Sequence, residues 1–172
     1  MFPNLIYILS GGAPVNPHTI KCLEEKGIIV CSGYGVTECG PFVSTQDYEK
    51  NKIGSVGSAI PCNEVIINNP DDEGRGEICV KGDNVMLGYY KDEEETKKVI
   101  VDGYFHTGDI GFLDEEGFLF VTGRIKNLII MENGENIAPE GIENYFYNFP
   151  YVKEVCVYGK DNMIIGEFYL GE

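Results

Sequence analysis

The sequence has few basic residues, no paired-cysteine motif and no long apolar run, and each shortage excludes a class of function. Its 13 Lys and Arg residues face 28 Asp and Glu residues, which gives a formal net charge of -15 at pH 7. No Lys/Arg cluster is present that could neutralise a phosphate backbone. We therefore do not expect nucleic acid as a partner.

Cysteine spacing and hydropathy indicate a soluble intracellular protein. The six cysteines show no CxxC pair or other zinc-like spacing, so we expect reduced, buried thiols with no metal or redox role. They are Cys22, Cys31, Cys39, Cys62, Cys79 and Cys156. The N-terminus lacks the pattern of a secretion signal, and no run approaches the ~18 apolar residues of a membrane span. A cytoplasmic location is the prediction.

The first part of the chain predicts a strand, helix, strand unit. An apolar run at 5–9 ends in a Ser-Gly-Gly-Ala-Pro loop, a helical pattern covers 17–26, and Gly27 separates it from a strand at 28–31. Both predicted strands are followed by Gly-rich turns. In open α/β sheets ligands bind at such loops, so we expect a binding crevice there.

The sequence pattern changes after residue 52. Short β-rich runs at 64–68, 77–81 and 118–122 predict a small barrel or twisted sheet. Further along, we predict a helix from Pro139 and strands at 152–158 and 164–170. The helix should present one apolar face, formed by Ile142, Tyr145, Phe146 and Phe149. The unit from 127 onward has 46 residues, close to the ~40-residue limit for independent folding, so we expect it to need contacts beyond itself. It also looks unfinished, because 164–170 reads as the start of another strand.

Two short motifs combine residue types that suit a nucleotide. In Gly-Tyr-Gly-Val-Thr-Glu, an aromatic ring at Tyr34 can stack on a purine, while Thr37 can contact phosphate and Glu38 can hold Mg²⁺. In His-Thr-Gly-Asp, Asp109 can accept hydrogen bonds from both ribose hydroxyls. Read alone, each motif is better explained by an ordinary turn. Arg124, fifteen residues after Asp109, suits a sugar or phosphate contact or a surface ion pair.

The order of the motifs is more specific than any one of them. SGGAP, YGVTE, GEICVKGDNVMLGYY, YFHTGDIG and GRIKNLIIMENGENIAPEGIE resemble, in sequence and in order, successive motifs of the adenylate-forming superfamily. That superfamily includes acyl-CoA synthetases, peptide-synthetase adenylation domains and beetle luciferases. The resemblance covers almost the whole chain.

The resemblance implies a mixed α/β fold in several parts. Residues 1–52 would be the end of the large N-terminal domain and 53–123 its β-rich, barrel-like subdomain. Residues 124–126 would be a hinge, and 127–172 the start of a small α+β C-terminal domain.

The resemblance also implies roles for individual residues. The adenine loop would be Gly11, Gly12, Ala13 and Pro14, and Tyr34 and Gly35 would complete the nucleotide site with Thr37, Asp109 and Arg124. Thr37 and Glu38 would be catalytic, with Glu38 associated with Mg²⁺. Gly33, Gly35 and Val36 would border the acyl pocket, Lys126 would be the hinge residue, and Gly134 would line the CoA channel. His106 is assigned no catalytic role.

The implied activity is that of an ATP-dependent carboxylic acid:CoA ligase, with a place in fatty acid metabolism. Its ligands would be a small carboxylic acid, ATP or AMP, Mg²⁺ and CoA. Smaller departures from the family pattern are Tyr104, where Trp is common, and Gly141, where Glu is usual. No Ser/Thr/Gly-rich phosphate loop and no lysine in the catalytic context is present in these 172 residues.

Three alternatives stay open at this point. The parent could be an amino-acid adenylation domain that loads a carrier-protein thiol, although the ENGENIAPEGIE segment and Lys126 look more like the CoA ligases. The chain could be a noncatalytic nucleotide-binding module, or a remnant without a ligand. We expect an excised segment or a truncated reading frame that is inactive alone and self-associates through exposed apolar surface.

Overall fold

The computed structural model describes residues 4–13 and 15–171, which form two compact units. The first unit is Met1–Val121 and the second is Thr122–Glu172. Strands and helices alternate irregularly along the chain, so the predicted mixed α/β class is confirmed. The boundary between the units lies just before the predicted hinge at 124–126; the hinge role itself stays a prediction.

The first sheet contains the predicted strand, helix, strand unit. Its elements are β1 (Tyr7–Ser10), α1 (Pro17–Glu24), β2 (Ile29–Gly35), β3 (Phe42–Thr45) and β4 (Ser58–Ala59). The strand order is β1-β2-β3-β4, with β1 and β2 parallel and the other pairs antiparallel. Helix α1 begins where Asn16 Oδ1 accepts a hydrogen bond from the His18 amide at 2.8 Å. It packs on the sheet through the buried Ile20.

Strand β2 is longer than predicted. Residues 33–35 were expected to form a Gly-rich turn, but they continue the strand and pair with β3. The prediction was wrong because it considered local sequence only, whereas the glycines allow a second backbone to approach. A Cβ on Gly35 would overlap the carbonyl oxygen of Pro41. The chain turns only afterwards, in a short 3-10 helix at Thr37–Cys39.

The second sheet forms most of the β-rich part of the first unit, and the unit boundary after Val121 falls within its last strand. Its elements are β5 (Asn63–Asn68), β6 (Gly76–Gly82), α2 (Glu93–Val99), β7 (Ile100–Val101), β8 (Tyr104–Leu113) and β9 (Leu119–Arg124). The strand order is β5-β6-β8-β7, and β9 also pairs with β8. Ile78, Val80, Phe105 and Leu119 lie buried in one hydrophobic core with Cys39 and Val43, the latter from β3. Burial of these side chains away from water holds the two sheets together.

The second unit is smaller and more exposed. Its elements are β10 (Ile129–Ile130), β11 (Asn136–Ile137), α3 (Pro139–Phe146), β12 (Val152–Lys160) and β13 (Met163–Leu170). Strands β12 and β13 form an antiparallel pair, and so do β10 and β11. Ile129, Val155 and Val157 form its core.

The predicted apolar face of α3 is only partly correct. Ile142 and Phe146 pack on the core of the second unit, as expected. Tyr145, however, is 62% exposed, and Phe149 lies beyond the end of the helix. The predicted helix was too long because Phe149 follows the end of α3 but keeps the helical spacing of the apolar residues before it. No helix among the described residues is long and apolar enough to cross a membrane.

Candidate nucleotide site

The loop after β1 and the end of β2 lie side by side, as the sequence predicted. Ser10 pairs with Ser32 in the parallel register, which brings the residues that follow each of them to the same edge of the sheet. A Cβ on Gly11 would stand 3.5 Å from the carbonyl oxygen of Gly33. Gly11, Gly12 and Ala13 are exposed at this edge. Pro14, the fourth predicted member of the adenine loop, lies outside the described residues.

Tyr34 and Asp109 meet although they belong to different sheets. The Tyr34 hydroxyl donates a hydrogen bond to Asp109 Oδ2 at 2.6 Å. The residue Asp109 is 4% exposed, so the bond lies largely away from water. Burial raises the pKa of Tyr34 well above its usual value, and the hydrogen bond to Asp109 raises it further. The phenol therefore stays protonated and continues to donate.

A set of hydrogen bonds fixes the backbone around Asp109. Gly108 has a φ of +70°, a conformation that favours glycine, and its amide donates to Glu77 Oε1 at 3.1 Å. The Asp109 amide donates to Thr107 Oγ1 at 3.1 Å, and that hydroxyl donates to the carbonyl oxygen of Ile78 at 2.8 Å. Strand β6 thus positions the bend of β8 that carries Asp109.

Glu77, Cys79 and His106 form a cluster beside this bend. His106 Nδ1 lies 2.7 Å from Glu77 Oε2 and 3.4 Å from Cys79 Sγ. These ligand types could hold a metal ion. Burial and the neighbouring Glu77 raise the pKa of the Cys79 thiol to about 12, however, and both Glu77 oxygens already take part in hydrogen bonds within the chain. We therefore interpret the cluster as a structural bracket, consistent with a local bonding role for His106.

Thr37 and Glu38 lie in the short 3-10 helix after β2. Thr37 is exposed, whereas the next residue but one, Cys39, is fully buried and anchors the turn. The Glu38 carboxylate accepts a hydrogen bond from the Tyr89 hydroxyl at 2.9 Å. The backbone carbonyl oxygen of Glu38 accepts another hydrogen bond, from the Met86 amide at 2.7 Å. The turn thus carries one exposed hydroxyl, on Thr37, and one carboxylate that is held by a hydrogen bond, on Glu38.

The predicted acyl-pocket residues show mainly structural contacts. A Cβ on Gly33 would stand 3.4 Å from the Ser44 carbonyl oxygen, and Gly35 has no room for one. Val36 packs against the core of the first unit. The close approach of the β3 backbone explains why Gly33 and Gly35 are glycines. The acyl-pocket role of the three residues stays a prediction.

Three predicted site residues belong to the second unit. Arg124 ends β9 and is exposed, and Lys126 is exposed in a short 3-10 helix at Ile125–Asn127. Gly134 has a φ of +83° in the turn between β10 and β11, where its amide donates to the carbonyl oxygen of Met131 at 2.9 Å. Their roles in sugar contact, hinge motion and the CoA channel stay predictions.

Sequence reasoning missed Glu77 and Tyr89. Both lie within the GEICVKGDNVMLGYY segment, but a carboxylate in a strand and a tyrosine in a loop carry no signal of their own. Glu77 bonds to the amide of Gly108, next to Asp109, and Tyr89 bonds to Glu38. Both contacts join segments that are distant in sequence, so only a prediction of tertiary contacts could have found them.

The profile of the AMP-binding enzyme family matches residues 1–90. The chain belongs to the AMP-binding enzyme family. The matched range contains the loop after β1, Tyr34, Glu38 and Tyr89, and the predicted recognition is thereby confirmed.

Several relatives of this chain are CoA ligases. It is 41% identical to 2-succinylbenzoate--CoA ligase of Bacillus cytotoxicus, covering 93% of this chain and 34% of that protein. It is 38% identical to a long-chain-fatty-acid--CoA ligase of Escherichia coli O6:H1, over 96% of this chain and 31% of that protein. The chain thus spans about a third of the length of these relatives.

Two solved structures have folds similar to that of this chain. O-succinylbenzoate coenzyme A synthetase from Bacillus subtilis in complex with AMP matches with a TM-score of 0.87 and 34% identity, over 96% of this chain and 36% of that chain. The same enzyme in complex with ATP and a magnesium ion matches with a TM-score of 0.83 and 36% identity, over 95% of this chain and 36% of that chain.

Proposed function

We propose that this chain is part of an ATP-dependent carboxylic acid:CoA ligase and supplies much of its nucleotide site. Membership of the AMP-binding enzyme family supports this, as do relatives that are CoA ligases for 2-succinylbenzoate and for long-chain fatty acids. Because these relatives act on different acids, the proposal names the class of substrate only. A CoA acceptor is favoured over a carrier-protein thiol by the same relatives.

The Tyr34–Asp109 hydrogen bond is the observation that carries the proposal. It joins the two motifs that the sequence assigned separately to the base and to the ribose. An aromatic ring can stack on adenine, and an ionised carboxylate has several acceptor positions, so Asp109 can receive ribose hydroxyls as well as the phenol. A ring and a carboxylate held together in this way suit the two halves of one nucleoside.

The Glu38 carboxylate suits a Mg²⁺ ion that also binds the phosphates of the nucleotide. Mg²⁺ is commonly bound in proteins by one or two carboxylates together with substrate phosphates, and keeps several waters. Glu38 supplies one such carboxylate on a turn of fixed backbone, next to the Thr37 hydroxyl. A bound Mg²⁺ would neutralise charge on the phosphates, while the turn itself would orient them.

The reaction proposed for the parent has two steps. The carboxylate of the acid attacks the α-phosphorus of ATP, which forms the acyl-adenylate and releases pyrophosphate. The CoA thiol, losing its proton, then attacks the acyl carbonyl carbon and releases AMP. In this scheme Tyr34 and Asp109 hold the nucleoside, Thr37 and Arg124 contact phosphate or sugar, and Lys126 is the hinge between the steps.

For the isolated chain we propose nucleotide binding without turnover. Its 172 residues contain no Ser/Thr/Gly-rich phosphate loop with its lysine and no lysine in the catalytic context. Oriented cationic and hydrogen-bonding groups around the phosphates supply much of the rate in phosphoryl chemistry. We expect Tyr34 and Asp109 to bind the nucleoside part of the nucleotide without those groups.

Calorimetric titration of the chain with AMP tests the proposal. We expect saturable binding that is lost in Asp109→Ala and weakened in Asp109→Asn, since the neutral amide keeps the shape but not the charge. Asp72→Ala is the matched control, because that carboxylate is exposed in a turn. Circular dichroism of each variant confirms folding. Equal affinity in Asp109→Ala and Asp72→Ala would contradict the proposed site.

A further inference from the structure

One segment of the first unit holds the turn that carries Glu38. We name residues 84–89 the clamp segment. Asn84 Nδ2 donates to the carbonyl oxygens of Cys39 at 2.6 Å and Phe42 at 2.8 Å. The Met86 amide donates to the carbonyl oxygen of Glu38 at 2.7 Å. These bonds hold the backbone at Glu38 and in the residues that follow it.

The same segment also reaches the carboxylate itself. The Tyr89 hydroxyl donates to Glu38 Oε1 at 2.9 Å, while the Tyr89 ring remains 36% exposed. Within the part of the chain that the structure describes, this bond uses Oε1 and leaves Oε2 for a cation.

Tyr89 is itself held in place before any ligand binds. Its amide donates to Thr96 Oγ1 at 2.9 Å, and that hydroxyl donates to the carbonyl oxygen of Asp92 at 2.7 Å. Gly88 precedes it with a φ of +148°, and a Cβ there would stand 2.7 Å from the Thr96 side chain. The Tyr89 side chain therefore projects from a backbone that is held in place, and its hydroxyl bonds to Glu38.

We propose that Tyr89 is a positioning residue for the metal-binding carboxylate, and that its hydroxyl holds Glu38 in the orientation that receives the Mg²⁺ of Mg-ATP. A glutamate side chain loses rotamer freedom when it binds a cation, and a carboxylate that is already held loses less. The hydrogen bond from Tyr89 lowers this loss of rotamer entropy and leaves Oε2 of Glu38 for the cation. The inference rests on the proposed nucleotide function and assigns Tyr89 no contact with the nucleotide.

The test compares Tyr89→Phe with Tyr90→Phe in the 172-residue chain. Tyr90 is the adjacent tyrosine, is 88% exposed and has its ring near the Lys91 ammonium, so the control removes a hydroxyl of the same kind. Each protein is titrated calorimetrically with ATP in excess magnesium and with AMP in a chelator. Thermal unfolding of each variant measures any general loss of structure.

We expect Tyr89→Phe to weaken Mg-ATP binding by about three- to tenfold, the size of a typical hydrogen bond, because the lost bond only positions the carboxylate. AMP binding in the chelator should not change, because the metal site is not used. Tyr90→Phe should behave as the unsubstituted chain in both titrations. This split between the two ligands separates positioning of the metal ligand from a structural role, which would weaken both.

Unchanged or tighter Mg-ATP binding in Tyr89→Phe would overturn the inference while leaving the nucleotide site intact. Tighter binding would mean that the hydroxyl competes with the cation for Glu38. Equal losses for both ligands would also overturn it, because Tyr89 would then act on the fold. If the unsubstituted chain binds AMP but gains nothing from magnesium, the inference fails alone; if it binds neither nucleotide, the proposed function fails with it.

Discussion

The Tyr34 hydroxyl donates to Asp109 Oδ2 at 2.6 Å, across two sheets of the first unit. The bond joins a residue of strand β2 to one of strand β8, and its Asp109 partner is buried. A tyrosine assigned to the base and an aspartate assigned to the ribose are thus one structural unit before a nucleotide binds.

Tyr34→Phe should lower stability more than it lowers AMP affinity. The substitution keeps the aromatic ring but removes a donor to a buried carboxylate, which costs about 1–3 kcal/mol of unfolding free energy. Urea unfolding monitored by circular dichroism measures the change, with Tyr90→Phe as the exposed control. An unfolding midpoint equal to that of the control would show that the bond adds nothing to stability.

Two glycine substitutions should have opposite effects. Gly35→Ala introduces a Cβ that overlaps the Pro41 carbonyl oxygen, and we expect a loss of roughly 1–3 kcal/mol of stability. Gly141→Ala lies within α3, where a Cβ meets nothing within 4 Å. It should stabilise the second unit by about 0.5–1 kcal/mol, because alanine favours a helix over glycine. Thermal unfolding of both variants checks the signs; stabilisation by Gly35→Ala would contradict the close approach of β3.

The Lys52 ion pairs give the first unit a defined acid sensitivity. Lys52 Nζ lies 2.6 Å from Asp114 Oδ2 and 2.6 Å from Glu116 Oε1. The hydrogen bond from Lys52 lowers the pKa of Asp114 below its ordinary value. A carboxyl whose pKa is lower in the folded state contributes stability above its unfolded pKa of about 3.9, and this is lost as the pH falls through the folded value.

We therefore expect Asp114→Asn to reduce the fall in stability between about pH 5 and pH 2. Urea midpoints measured across that range test it, with Glu115→Gln, an exposed neighbour, as the control. A pH profile of Asp114→Asn that overlays the unsubstituted profile would contradict the interpretation.

The second unit should self-associate through strand β13. Tyr169 and Leu170 are each 63% exposed there, and Met163 is 57% exposed. Among the described residues β13 pairs only with β12, so its other edge carries unpaired backbone groups that can recruit a second strand. Light scattering should show an average mass that rises with concentration, and Tyr169→Lys should reduce that rise. A monodisperse monomer across dilution would contradict the prediction.

Local sequence was sufficient for part of this fold. Asn16, Pro17 and Gly27 mark the ends of α1, and the runs on either side became β1 and β2. Helix α2 was missed although Asp92 caps it and Lys97 and Lys98 lie in its last turn. It buries no residue, so the apolar periodicity on which the reading depended is absent.

The candidate site was predictable by motif but not by contact. The motif order indicated Tyr34, Glu38 and Asp109, whereas Glu77 and Tyr89 act through strand and loop pairings that no local pattern encodes. The extension of β2 through Gly35 has the same origin, because it depends on β3 lying alongside. Pairing between distant segments is decided by the packed core, which only the three-dimensional structure shows.

AMP titration of the unsubstituted chain and of Asp109→Ala tests the central claim most directly. The account predicts saturable binding by the first protein and none by the second at the same nucleotide concentrations, with both proteins folded by circular dichroism. Absence of binding by the folded, unsubstituted chain, or equal binding by both proteins, would contradict the claim that Tyr34 and Asp109 form a nucleotide site.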